Sequence, residues 1–169
     1  MKQMQRRQFL GTGVTAAAVA AVAGTGLLRA GNAFADNVAG WPAKAFDAKV
    51  LDAAMTDSIG KTSIPVSSKV SLKAPTIAEN GGAVPVTIEV DSPMTADDYI
   101  DTVWLFVDHN PTPLASQFTF TPACGKAYIQ QRIKMAKTDH VRVVAKTNKG
   151  ELMASAPREV KVTIGGCGG

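Results

Sequence analysis

The stretch VPVTIEV at residues 84–90 shows the pattern that decides the fold of this chain. Apolar residues at positions 84, 86, 88 and 90 alternate with Thr87 and Glu89, which is the two-residue period of a half-buried β-strand. Comparable runs occur at residues 66–72, 100–107, 118–120, 127–135, 141–145 and 160–164, separated by turn-forming residues. About seven short strands at this spacing predict a mainly β protein, an antiparallel β-sandwich of immunoglobulin type, although the Cys…Trp…Cys signature of immunoglobulin cores is absent.

One helix is predicted ahead of the strands, from residue 43 to about residue 58. Phe46, Val50 and Ala54 lie on one stripe of such a helix, and Gly60 follows as a stop signal. Residues 100–107 are instead apolar at nearly every position, which is typical of a central strand buried on both faces. The helix and the sandwich together form one predicted domain, residues 36–164.

The first 35 residues have the organisation of an export signal. A basic segment with Arg6 and Arg7 precedes a weakly apolar stretch, and small residues before Asp36 supply a cleavage site. The pair Arg6-Arg7, followed by QFL, resembles the twin-arginine motif that directs folded proteins across the bacterial inner membrane. We therefore expect residues 1–35 to be cleaved off and the mature protein to reside in the periplasm.

The charge of the chain depends on this signal. The full sequence has 18 Lys and Arg residues against 14 Asp and Glu residues. Four of the basic residues lie within residues 1–35, which contain no acidic residue, so the mature chain is formally neutral. The basic balance of the whole chain therefore gives no indication of nucleic acid or an anionic membrane as a partner.

The chain ends on Gly165-Gly166-Cys167-Gly168-Gly169, a lone cysteine between two pairs of glycines. Glycine has no side chain to bury and has wide backbone freedom, so residues 165–169 are predicted to form a slim, flexible arm. Five extended residues span on the order of 17 Å, which is long enough to carry the thiol into a cleft on another protein. A disordered tail, or one half of a disulfide, is the alternative interpretation.

Residues suited to catalysis are few. His109 and His140 are the only histidines, and the sequence has no HxxxH spacing or Cys/His cluster, so we expect no metal site. No phosphate-binding glycine loop, dinucleotide fingerprint or GxSxG motif occurs, and we expect no cofactor. Cys124 is either a passive small residue near a strand or the partner of Cys167 in a disulfide.

Several segments resemble the SoxY family, the sulfur carriers of the bacterial thiosulfate-oxidising Sox system. The resemblance rests on VKVTIGGCGG at residues 160–169, APTIAENGGAVPV at residues 74–86, DSPM at residues 91–94 and Asn110-Pro111. It extends over most of the predicted mature chain, and the twin-arginine signal is similar to the one that the family carries.

The resemblance implies a role for the arm. Cys167 would hold sulfur compounds covalently, and the chain would form a heterodimer with a small SoxZ-like β-sandwich subunit. A haem enzyme would join thiosulfate to Cys167 as a cysteine S-thiosulfonate, and a hydrolase would then release sulfate and leave a persulfide. A sulfane dehydrogenase is a further candidate partner. In this scheme the chain is a cosubstrate of the Sox enzymes rather than an enzyme, and Cys124 has no assigned role.

Two other classes of protein remain open from the residues alone. A thiol peroxidase or disulfide oxidoreductase would use a cysteine activated by a helix N-terminus or a base, commonly within CxxC, and Cys167 has neither feature in sequence. A structural sandwich domain would instead be tethered to a neighbour through a Cys167 disulfide. Sulfur adducts on Cys167 would distinguish a carrier from both.

Overall fold

The computed structural model describes residues 42–166, and the predicted signal peptide lies outside this range. Within it, two helices open the domain and nine β-strands follow. The helices are α1 (Ala43–Asp47) and α2 (Leu51–Ile59). The strands are β1 (Val70–Lys73), β2 (Ile77–Asn80), β3 (Val84–Val90), β4 (Ile100–Val107), β5 (Leu114–Thr119), β6 (Ala127–Ile133), β7 (Asp139–Thr147), β8 (Leu152–Ala154) and β9 (Arg158–Ile164).

The strands form two sheets. Strands β1, β3 and β6 make a three-stranded antiparallel sheet. The larger sheet has the order β2-β9-β7-β4-β5, and β8 pairs with β7. Strand β2 pairs with β9 in parallel, which departs from the purely antiparallel arrangement that we predicted. A parallel pair requires a long connection, and here most of the domain lies between the two strands.

Two hydrophobic clusters hold three layers together. The larger cluster joins the two sheets and includes Ile88 of β3 together with Val103 and Leu105 of β4. The smaller cluster packs the helices against the other face of the larger sheet, where Trp104 and Phe106 of β4 are buried. Both faces of β4 are therefore covered, which confirms the prediction of a central strand at residues 100–107.

The region predicted as one helix over residues 43–58 forms two. Ala48 and Val50 have extended backbones, with ψ of 141° at each, and separate α1 from α2. In a continuous helix Val50 would share the buried stripe of Phe46 and Ala54, but it is 66% exposed in the structure. The break lets both helices pack onto the larger sheet, so tertiary packing overrides the local pattern. Gly60 ends α2 with φ of 81°, as the stop signal predicts.

The seven predicted strands all correspond to strands of the structure, with changed ends. Strand β1 begins at Val70 rather than at residue 66, because Val66 makes only an isolated bridge to Ala154. The sequence pattern does not predict β2 and β8, which have four and three residues. Strands of this length are too short to show a period of two, and hydrogen bonds to β9 and β7 define them.

Candidate functional site

The described part of the chain ends at Gly166, the residue immediately before Cys167. The structure therefore shows the base of the predicted arm, Gly165 and Gly166, which we call the root. The remaining predicted site residues lie outside the described range and stay predictions from the sequence: Cys167, Gly168, Gly169, Arg6 and Arg7.

The root leaves β9 and passes between two other segments of the chain, residues 81–82 and residues 135–136. We call Gly81, Met135 and Ala136, which lie against the root, the cradle. The Gly166 N–H donates a hydrogen bond to the Met135 carbonyl oxygen at 2.9 Å. The Met135 N–H in turn donates to the Gly81 carbonyl oxygen at 2.7 Å. Three backbone segments are thereby joined side by side, and Gly166 is buried among them.

The cradle leaves no room for a side chain on the root. A Cβ atom placed on Gly166 would lie 2.7 Å from the backbone of Gly81. A Cβ atom on Gly165 would overlap the carbonyl oxygen of Ala136, and one on Gly81 would overlap that of Met135. Packed backbones do not give way by such amounts at low cost, so only glycine fits at positions 81, 165 and 166 without a shift of the chain.

The sequence predicts Gly165 and Gly166 as residues that make the arm flexible. The structure shows a different reason for glycine at both positions, which is the close approach of neighbouring backbones. The flexibility of the arm itself stays a prediction. Gly81 was missed as part of the site because a Gly-Gly pair after Asn80 is typical of a strand-ending turn. The feature of the sequence that could have indicated the cradle is the presence of two Gly-Gly pairs, at residues 81–82 and at residues 165–166.

Asn110 fixes one wall of the cradle. This residue is buried, with 3% of its surface exposed. Its Nδ2 donates to the Lys134 carbonyl oxygen at 2.7 Å, and its Oδ1 accepts from the Ala136 N–H at 3.0 Å. The side-chain amide thus satisfies backbone groups on both sides of Met135, where the ladder of β6 has ended. Asn110 thereby holds Met135 in the position from which it accepts the Gly166 hydrogen bond.

The backbone N–H groups of the two histidines both donate to Asp139, which follows Met135 and Ala136 by a few residues in the sequence. The carboxylate of Asp139 accepts from the backbone N–H of His109 at 2.6 Å and from that of His140 at 2.7 Å. The His109 Nδ1 lies 2.8 Å from the same carboxylate, whose side chain is 3% exposed. Asp139 therefore ties the turn after β4, which contains Asn110, to the start of β7.

Asp139→Ala should lower the free energy of unfolding by about 1–3 kcal/mol, because it leaves the N–H groups of His109 and His140 without their acceptor. Urea denaturation followed by circular dichroism measures the loss. Asp57→Ala, on an exposed position of α2, is the control and should change stability by less than about 0.5 kcal/mol. An equal effect of the two substitutions would contradict the structural role of Asp139.

Cys124 lies far from the root. It is a free, exposed thiol in the 3-10 turn that precedes β6, whereas the cradle follows the other end of that strand. The length of β6 alone separates the two places by on the order of 20 Å. A disulfide requires Cα atoms within about 7 Å, so Cys167 cannot reach Cys124 while Gly166 occupies the cradle. The structure therefore does not support a disulfide between these two cysteines of one chain.

Two carboxyl groups with shifted pKa values lie away from the root. A hydrogen bond from Lys126, together with its charge, lowers the pKa of Glu89, and the same pairing raises the pKa of Lys126. Burial raises the pKa of Asp101, but hydrogen bonds from Lys146 and Thr102 outweigh this and hold that pKa below its ordinary value. Glu89 and Asp101 both occupy the ends of the sheets remote from the cradle.

Residues 42–166 offer neither a metal-binding cluster nor a membrane-spanning helix. No three His, Cys, Asp or Glu side chains in this range are arranged to hold a metal ion. None of its helices is long and apolar enough to cross a bilayer.

Comparison with known proteins identifies relatives of the whole domain. The family described as sulfur oxidation protein SoxY matches residues 55–167. The solved structure of the sulfur carrier protein SoxY from Chlorobium limicola f thiosulfatophilum is 37% identical and superposes with a TM-score of 0.56. That match covers 68% of this chain and 96% of the other. No curated protein sequence matches.

A superoxide reductase (neelaredoxin) from Ignicoccus hospitalis is also similar in fold, with 19% identity and a TM-score of 0.46. The match covers 56% of this chain and 80% of the other, and this likeness carries no functional argument. The SoxY match, in contrast, spans most of the described domain and extends to Cys167. The chain belongs to the SoxY family of sulfur oxidation proteins.

Proposed function

We propose that the mature chain, residues 36–169, is a periplasmic carrier of sulfur compounds in thiosulfate oxidation, with Cys167 as the attachment site. The observation that carries this proposal is the family match, because it runs to Cys167 itself. The related protein from Chlorobium limicola is named a sulfur carrier. A thiolate bonds readily to sulfane sulfur, and Gly168 and Gly169 beside it minimise steric hindrance in a partner's active site.

Loading of the carrier forms one bond and removes two electrons. The Cys167 thiolate and the sulfane sulfur of thiosulfate join in an S–S bond. The electron pair passes to a haem enzyme, which is the oxidant. The product is a cysteine S-thiosulfonate that carries the sulfonate group at its outer end.

Unloading begins with hydrolysis of this adduct by a second enzyme. Water attacks the sulfonate sulfur, the bond between that sulfur and the sulfane sulfur breaks, and sulfate leaves. The electron pair of the broken bond stays on the sulfane sulfur, so Cys167 is left as a persulfide and two protons go to the solvent. A sulfane dehydrogenase is a candidate enzyme for the persulfide.

We further propose a SoxZ-like subunit as the heterodimer partner. A large apolar side chain on strand β2, Ile77, is 63% exposed. Strand β2 also forms an edge of the larger sheet. Exposed apolar side chains and strand edges are features that a partner domain covers. The contact must leave Cys167 accessible to the enzymes.

In this proposal the chain is a cosubstrate, and its partners supply the catalytic groups. The side chains of His109 and Asp139 contact each other, with 2.8 Å between His109 Nδ1 and Asp139 Oδ1, and both residues are close in sequence to the residues of the cradle wall. The Asp139 carboxylate, however, accepts two backbone hydrogen bonds that fix the loops. Their arrangement supports a structural role for the pair rather than a catalytic one.

Mass spectrometry of the exported protein from cells oxidising thiosulfate should show S-thiosulfonate and persulfide adducts on Cys167. Cys124 is an internal control, because it is an exposed thiol of the same chain outside the arm. Enzymatic loading should leave it unmodified.

Other outcomes of this measurement would contradict the carrier function. Equal adducts on both cysteines would indicate unspecific reaction with sulfur compounds. An interchain disulfide as the sole modification of Cys167 would favour a tethered structural domain. Turnover of peroxide or dithiol substrates by the purified chain would favour an enzyme.

A further inference from the structure

We propose that the carrier arm has a seated state, in which Gly165 and Gly166 occupy the cradle, and that Cys167 reaches a distant active site only after the root leaves it. The inference rests on the proposed function in treating residues 165–169 as a carrier arm. It adds a conformational step before each delivery, and it assigns Gly81 and Asn110, which lie outside the arm, as positioning residues.

The contacts of Gly166 differ from those of a free linker. Its N–H donates to Met135, and its backbone lies against Gly81 in a buried position. A further hydrogen bond holds the chain ahead of the root, where the Val162 N–H donates to Thr138 Oγ1 at 2.9 Å. The path of the chain is therefore fixed by hydrogen bonds up to the residue before Cys167.

The steric fit of the cradle is specific to the root. Gly81, Gly165 and Gly166 come from two distant parts of the sequence, and each has backbone atoms where a Cβ atom would lie. Such mutual fit is not required for a tail that only needs freedom of movement. The receiving wall is also formed independently of the root, because Asn110 holds Lys134 and Ala136 through its own side chain.

A seated root limits the reach of the thiol. Consecutive Cα atoms are about 3.8 Å apart, so the Cys167 sulfur stays within on the order of 7 Å of the Gly166 Cα. If the root is released back to Ile164, three extended residues carry the Cys167 Cα on the order of 10 Å from the end of β9, and the sulfur reaches about 3 Å further. The seated arm keeps Cys167 beside the end of the sandwich, and release is needed for entry into a deep cleft.

Release of the root is energetically accessible. The root is held by one backbone hydrogen bond and by close contact of small residues. Local openings of this kind leave the minor state populated at on the order of 10 per cent. A partner that binds only the released arm can therefore draw it out of the cradle without unfolding the domain.

The test is exchange of the Gly166 amide hydrogen with solvent, followed by NMR on the full mature chain. After correction for intrinsic rates, Gly166 should exchange about tenfold more slowly than Gly168. Gly81→Ala should abolish this difference, because its Cβ atom displaces the root while every residue of the arm is unchanged. The apparent KM of the loading enzyme for this variant should fall several-fold, since a larger fraction of the carrier is released.

Gly82→Ala is the matched control. Its Cβ atom would meet the Asn80 Oδ1 at 3.0 Å and would lie 4.0 Å from the Gly166 Cα, so the root keeps its place. Protection of Gly166 and the KM should both stay at the values of the unsubstituted chain. If Gly81→Ala does not fold, Asn110→Ala replaces it, because it removes the hydrogen bonds that hold the backbone on both sides of Met135 and leaves every residue of the arm unchanged.

Equal exchange at Gly166 and Gly168 in the unsubstituted chain would overturn the seated state. Loss of protection together with a raised KM would overturn release as the productive step, because the cradle would then present the thiol rather than retain it. These results are separate from the carrier function itself. Absence of sulfur adducts on Cys167 would refute that function, whatever the exchange of Gly166.

Discussion

Cys167→Ser should abolish thiosulfate-dependent turnover of a reconstituted Sox system while leaving the fold of the chain intact. A serine hydroxyl cannot form the S–S bond to thiosulfate, so the reaction stops at the loading step. The last strand ends at Ile164, ahead of this position. We therefore expect the free energy of unfolding to change by less than about 0.5 kcal/mol. Reduction of the haem partner and thermal unfolding, measured on one preparation, test both parts.

The matched control is Cys124→Ser, which removes the other thiol of the chain. This residue lies in an exposed turn at the far end of β6, so turnover should equal that of the unsubstituted protein. Normal turnover by the Cys167 variant would show that sulfur is carried elsewhere. Loss of turnover in both variants would indicate that the two thiols act together, which the separation along β6 argues against.

The fold could be predicted from the sequence where the spacing of apolar residues along a strand matched the burial of its two faces. Strand β3 alternates between the core and the surface along its whole length. Strand β4 is apolar on both faces, and in the structure the smaller sheet covers one face and the helices cover the other. The break at Ala48 could not be predicted in this way. Its cause is the packing of two short helices on the larger sheet, and no local signal in residues 43–58 specifies it.

The cradle could not be predicted from the sequence for a similar reason, and the attachment site at Cys167 stays a prediction. The cysteine and its glycines are adjacent in sequence, so their pattern indicates an attachment point directly. The root and its cradle are instead brought together from segments near residues 81, 110, 135 and 165. The parallel register of Asn80 with Ile164 brings the ends of β2 and β9 together, and the residues that follow each strand then meet. That pairing depends on the finished sheet, and β2 itself was not predicted.

Glycine is suited to positions 165 and 166 for two distinct reasons. Freedom of the backbone is a property that any exposed Gly-rich tail has. Close approach to Gly81 and Ala136 is a property of this folded domain alone. A substitution within the arm changes both properties, whereas Gly81→Ala changes only the second. This is why a residue outside the arm provides the sharper test of how the arm works.

Replacing Arg6 and Arg7 by lysine should stop export of the chain and hold its partner subunit in the cytoplasm with it. The twin-arginine route recognises the arginine pair itself and carries folded cargo, so lysines that keep the charge should not restore transport. A folded domain can bind its partner before export, and the partner would then need no signal of its own. Immunoblots of periplasmic and cytoplasmic fractions measure the location of both proteins.

The control for this substitution is Arg29→Lys, which makes the same chemical change in the predicted signal outside the arginine pair. Export should then stay normal, because charge at that position is retained and the motif is intact. A partner that still reaches the periplasm in the Lys-Lys variant would refute joint export, while the role of Cys167 would stand. Normal export of the Lys-Lys variant itself would instead refute the twin-arginine assignment, because that route requires the arginine pair.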